Sequence, residues 1–219
     1  MNRNDRTPND PPPTVAPPRN PFATRHVRPG AIPYFFPDGV TAEILIDRLA
    51  ANRWRGEIVG PHGTGKSTLL ATLVDVISRH GKPVVVYRLR EGERRLPPTP
   101  CAFAAVPRDS VVVIDGFEQL GWLHKTAVRW SCKRRGLGLL VTSHATVGLP
   151  QLWRTGVDSA TLKRVVAHLL AAEPAAAALI REQDIAAAVE AHPTNVREAL
   201  FALYDLVERR RRENRRENP

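Results

Sequence analysis

The stretch GPHGTGKSTLL, residues 60–70, decides how the rest of the chain is read. It fits G-x-x-x-x-G-K-[ST] at Gly60, Gly65, Lys66 and Ser67. The apolar run GEIV (56–59) precedes it, and a helical pattern with Leu69, Leu70, Leu73, Val76 and Ile77 follows. Strand, glycine-rich turn and helix is the context a phosphate-binding loop requires. Glycines let backbone N–H groups converge on phosphate oxygens. The helix opening near Lys66 adds unpaired N–H donors and the positive end of its dipole. Lys66 then supplies a point charge for the β- and γ-phosphates, and Ser67 a Mg2+ ligand. The expected nucleotide-binding residues are Gly60, Pro61, His62, Gly63, Thr64, Gly65, Lys66, Ser67 and Thr68.

Working outward, a second acidic element is expected at the end of a later apolar strand, and VVVIDG places Asp115 there as a Mg2+ ligand. PVVVYRL (83–89) reads as a strand buried on both faces, because its apolar run is continuous rather than alternating. DSVVVIDG (109–116) and GLGLLVTSH (136–144) are two further strands. FEQLGWLHKTAVRWSCKRRG between them reads as a helix with a basic outer face. AEILIDRLAANRW, from residue 42, has helical spacing at Ile44, Ile46, Leu49 and Trp54. Strand and helix in repetition predict an α/β fold with a doubly wound parallel sheet. After Pro150, LWRTGV is a candidate edge strand. SATLKRVVAHLLAA, REQDIAAAVEAH and NVREALFALYDLVERRRR are three helices, the last started by Asn195 as N-cap with Glu198 three residues on.

The remainder of the 219 residues bounds the setting. Residues 1–32, with Pro8, Pro11, Pro12, Pro13, Pro17, Pro18, Pro21 and Pro29, have a composition that cannot bury a core and read as an extended, largely disordered Pro-rich arm. The aromatics of NPFATRHVRPGAIPYFFP suit its end to dock on the domain. Divided by pattern, 33–157 is the core, 158–208 a helical lid and 209–219 a basic tail. No run approaches the ~20 apolar residues of a membrane span, and the N-terminus lacks the apolar segment of a secretory signal. Cys101 and Cys132 have no metal-type spacing and suit a reduced, cytoplasmic setting. The net charge of +10 admits a nucleic-acid partner through the tail ERRRRENRRENP, although no aromatics there offer base stacking.

GPHGTGKSTLL, VVVIDGFEQL, LLVTSH and HPTNVREALFAL, in that order, resemble the Walker A, Walker B, sensor 1 and sensor 2 regions of AAA+ ATPases. The compact general-secretion and transposition-helper forms are the most similar, and the NPF…YFF segment is similar to the entry segment of the secretion type. The resemblance spans about residues 41–208. It implies a P-loop sheet ordered 5-1-4-3-2 flanked by helices, ATP with Mg2+, a small helical lid over the nucleotide, a protein partner and homo-oligomers. By resemblance, Asp115 is the Walker B acid, Ser143 or His144 the sensor 1 group facing the attacking water, and Arg197 the sensor 2 arginine. The sequence departs from the family at Gly116, where a catalytic glutamate usually follows the Walker B aspartate. Glu118 is the candidate to orient the water instead, so the expected catalytic set is Lys66, Glu118, Ser143 and Arg197. Two functions stay open: an ATPase that drives conformational change in a partner, and a nucleotide-dependent switch with little or no hydrolysis. A nucleotide kinase fits less well, because a strand intervenes between the loop and Asp115 and no acceptor-binding arginine cluster is evident.

Overall fold

The computed structural model describes residues 19–96, 103 and 105–217. The expected dock of the N-terminal segment comes first in chain order. Its described part is folded: it turns through the short helix α1 (Thr24–Val27) and seats Phe22, 1% exposed, among helices of the lid. Asn20 pins it by donating to Tyr204 O at 3.1 Å and to Glu208 Oε1 at 2.9 Å. Cys101 and most of the Pro-rich arm lie outside the described residues.

Helix α2 (Ala42–Ala51) starts where Thr41 accepts from the Ile44 N–H and buries Leu45, Ile46 and Leu49. Strand β1 (Arg55–Val59) leads into the glycine-rich loop and helix α3 (Lys66–Arg79). Strands β2 (Val84–Arg88), β3 (Val111–Asp115), β4 (Gly138–Ser143) and β5 (Gln151–Arg154) complete the sheet. All four pairings are parallel, and the order β2-β3-β4-β1-β5 is the expected 5-1-4-3-2 read from the other edge. This is a P-loop NTPase-like α/β fold.

Alternation along the central strands divides the core between two faces. Val111 and Val113 of β3 and Leu140 of β4 meet α2 and α3. Val112, Ile114, Leu139 and Val141 face the other way, onto Phe117 and helix α4 (Trp122–Arg135). Two expectations are corrected here. PVVVYRL is not buried throughout: β2 is a sheet edge, only partly covered, with Val86 40% exposed. The segment after Asp115 is not one helix but a 3-10 turn, Phe117–Gln119, broken from α4 at Leu120 and Gly121, both in extended backbone.

The segment expected as a lid consists of α5 (Ser159–Ala171), the short α6 (Pro174–Ala177), α7 (Glu182–Ala191) and α8 (Val196–Glu217); α6 has no counterpart among the expected helices. Asp158 caps α5 by accepting from Thr161 N at 2.7 Å. The arginine-rich run at 209–216 continues α8, so the lid–tail boundary expected at 208 falls inside one helix. Arg210 is tied back to Leu179 O and to both oxygens of Asp184, while Arg211 pairs with Glu208 at 2.9 Å. Among the described residues, no helix is long and apolar enough to cross a membrane.

Candidate functional site

Parallel strands bring β1, β3 and β4 to one edge of the sheet with their carboxyl ends together, where open α/β sheets bind ligands. A cavity of about 730 Å³ opens there. The loop after β1, the residues after β3 and β4, the entry segment at Tyr34 and Phe35, and α8 of the lid all reach it.

The loop is tied to its surroundings on both sides. Gly60 donates to Ser143 O at 3.2 Å, and the buried Thr64 hydroxyl lies 2.8 Å from Pro61 O and 2.7 Å from Thr155 Oγ1. Gly63 has φ +73°, and a Cβ there would stand 1.9 Å from Asn195 Oδ1. Only glycine suits that backbone and that approach. The Val196 N–H donates to Gly63 O at 3.2 Å, so the first turn of α8 rests on the loop and Arg197 reaches the cavity beside it. Asn195 accepts from Glu198 N at 3.4 Å, the expected cap.

Lys66 Nζ donates to Gly60 O at 2.6 Å and Pro61 O at 2.7 Å, holding the ammonium across the loop. Burial lowers its pKa; the negative charges of Glu118 and Asp115 oppose that shift, and the Arg197 charge adds to it. An ammonium in this position gains from an anion in the loop. Ser67 Oγ donates to Asp115 Oδ1 at 3.1 Å, so hydroxyl and carboxylate converge as a Mg2+ shell needs. His62, Gly63, Gly65 and Thr68 line the cavity with them. This donor set, with a lysine between loop carbonyls, fits a phosphate chain carrying Mg2+.

Thr142 is a residue that sequence reasoning missed. Its hydroxyl donates to Asp115 Oδ1 at 2.6 Å and accepts from Gly116 N at 2.9 Å, fixing the carboxylate against the start of the next turn. The signal was faint: a threonine one step before Ser143, on the strand that flanks β3.

Gly116 has φ +84°, and a Cβ there would lie 2.9 Å from Leu89 O. A glutamate at this position would meet both the left-handed backbone and that carbonyl. The 3-10 turn instead carries the carboxylate of Glu118 to the cavity. Its Oε1 lies 3.2 Å from His144 Nε2, and its Oε2 is buried without a hydrogen-bond partner among the described residues. The His144 ring stands edge-on to His62, with centroids 3.6 Å apart. Burial foremost lowers the His144 pKa, the Glu118 charge opposes this, and Lys66 and His62 add to the lowering. Of the two sensor 1 candidates, Ser143 is fully buried and donates to Ala145 O at 2.5 Å, turned into its own loop; His144 lines the cavity.

On the entry side, Tyr34 takes the Trp153 Nε1–H at 3.2 Å, and burial raises its pKa. Cys132 is buried on α4, away from the cavity, with its thiol pushed up to about 12 by burial, which makes it unreactive.

No family model matches this chain, and no curated protein matches it. Among solved structures, that of C. elegans PCH-2 is similar to it at 12% identity, over 77% of this chain and 68% of that one, with a TM-score of 0.37.

Proposed function

We propose that this chain binds ATP with Mg2+ and hydrolyses it, in the manner of an AAA+-type module that passes the change to a partner. The observation that most supports this is the convergence of Lys66, Ser67, Asp115 and Glu118 on one cavity, with Ser67 and Asp115 only 3.1 Å apart. When bound, Mg2+ would neutralise charge developing on the β- and γ-phosphates. Ser67 and Asp115 would hold it, and Thr142 keeps the Asp115 carboxylate aimed. Loop N–H groups and the α3 N-terminus bind the phosphate chain, and Lys66 exchanges its loop carbonyls for phosphate oxygens.

Glu118 orients the attacking water and accepts its proton. A buried carboxylate oxygen without a partner, beside the phosphate loop, is the acceptor such a water requires. His144 holds the other oxygen and so fixes which way the carboxylate faces. Arg197 adds positive charge from the lid. Because Val196 also bonds Gly63, nucleotide in the loop and the angle of α8 are linked. The division into core (33–157), lid (158–208) and basic tail (209–219), a cytoplasmic setting, a protein partner, homo-oligomers and nucleic-acid contact through the tail belong to the same reading.

Equilibrium binding of a fluorescent ATP analogue tests the first half. Wild type is expected to bind with Mg2+ and Lys66→Ala to lose tenfold or more of that affinity, by analogy with a buried charge-assisted contact worth about 1.5–3 kcal/mol. Equal affinity in the two would contradict it. The switch reading draws on Gly116 alone, and turnover by Glu118 separates the two.

A further inference from the structure

Helix α4 was expected to show a basic outer face, but its exposed stripe is mainly apolar. Trp122 is 74% exposed, Leu123 62% and Trp130 60%, the largest exposures of any big apolar side chains described. Thr126 and Ala127, also exposed, lie one turn after the first pair, and Lys133 and Arg134 one turn after Trp130. At 1.5 Å per residue the two tryptophans stand about 12 Å apart along the axis. Two aromatic knobs therefore flank a notch lined by small side chains. The hydroxyl in that notch is already satisfied, since Thr126 Oγ1 donates to Trp122 O at 3.0 Å. What the notch offers is apolar.

Soluble proteins seldom leave such a stripe uncovered without a partner for it. Charge narrows what that partner is. The fourteen residues of α4 contain Lys125, Arg129, Lys133, Arg134 and Arg135 and no carboxylate. Among the described residues, neither Lys133 nor Arg134 makes a salt bridge. Two copies meeting through this face would set cation against cation, which disfavours a self-contact. Nucleic acid fits less well than protein: between the tryptophans lie Leu123, Thr126 and Ala127, which suit aliphatic side chains, and the one hydroxyl among them is already bonded to the backbone.

We propose that the exposed face of α4 docks an acidic amphipathic helix of a protein partner. Its apolar side chains fill the notch between Trp122 and Trp130, and its carboxylates meet Lys133 and Arg134. Tryptophan and arginine are the residues that most often dominate such contacts, and a helix laid on an apolar stripe is a recurring recognition mode.

The test is fluorescence anisotropy with a synthetic helical peptide carrying a leucine stripe and glutamates at one end, titrated into the full chain. Binding is expected, weakening about tenfold in Trp130→Ala, a charge-neutral change that leaves the basic tail's attraction intact. A similar loss is expected in Lys133→Glu/Arg134→Glu, and the same peptide with lysines for glutamates is expected not to bind. These side chains are exposed, so unchanged unfolding temperatures will show that the variants fold. Three results would overturn the proposal. One is equal peptide affinity in wild type and Trp130→Ala, or no binding at all. Another is a single-stranded oligonucleotide that displaces the peptide and itself depends on Trp130. The third is self-association of the chain that Trp130→Ala abolishes.

Discussion

The Glu118 carboxylate faces the His144 imidazole at 3.2 Å, across the carboxyl ends of β3 and β4. The pairing holds one carboxylate at the mouth of the glycine-rich loop. It also ties the site to pH. His144 has its pKa lowered in the folded chain, chiefly by burial. The unfolded chain therefore binds a proton more readily, and unfolding free energy is expected to fall as pH drops through the ordinary histidine value of ~6.5. The loss levels off below the folded value. Denaturant unfolding from pH 5 to 8 should show this slope reduced in His144→Gln; identical slopes would contradict it.

Gly116→Glu, which places a glutamate directly after the aspartate, is expected to impair rather than improve the protein. The left-handed backbone alone costs about 1–2 kcal/mol in a non-glycine residue, and the new Cβ would press on Leu89 O at 2.9 Å. The measurement is a denaturant midpoint with phosphate release on the same sample. A variant as stable as wild type and more active would mean that position 116 accepts the glutamate.

Thr142→Val is expected to weaken the Mg2+ dependence of nucleotide binding. It removes the donor to Asp115 and leaves the Gly116 N–H without its acceptor, a stability loss of about 1–3 kcal/mol. Thr142→Ser should restore both bonds. Titration of Mg2+ against nucleotide affinity reads the effect, and wild-type behaviour in the valine variant would show that Asp115 needs no support from β4.

Phe22→Ala is expected to destabilise the lid by about 3–5 kcal/mol, as for a buried phenylalanine. Phe22 is 1% exposed against α5, α7 and α8, and Asn20 beside it bonds α8 at two points. Amide exchange in α5 and α8 should rise, with β3 and β4 less affected. Uniform protection of the lid in the variant would mean the segment adds no anchor.

Much of this was legible because the residues concerned are contiguous. GPHGTGKSTLL carries a turn and a helix start, and VVVID and VTSH each bring a strand to a polar end, so the sheet's carboxyl edge was readable from the chain alone. What escaped depends on neighbours. Thr142 matters only because β4 lies beside β3, and Gly63 only because Asn195 of the lid abuts it. The half exposure of β2 comes from its place at the sheet edge, which a run of valines does not report. The break at Leu120 and Gly121 was written in the sequence, yet the helical spacing on either side masked it. The tryptophans of α4 were read with a basic face, because periodicity alone does not say which side of a helix meets the sheet.

Whether the chain hydrolyses ATP rests on Glu118, and one comparison addresses it most directly: steady-state phosphate release and ATP affinity for wild type and Glu118→Gln. The account predicts turnover by wild type and a loss of about 10²-fold or more in Glu118→Gln, the scale of a lost general base, with ATP affinity kept. Equally slow release by both, while both still bind ATP, would contradict hydrolysis by Glu118 and leave the nucleotide-dependent switch.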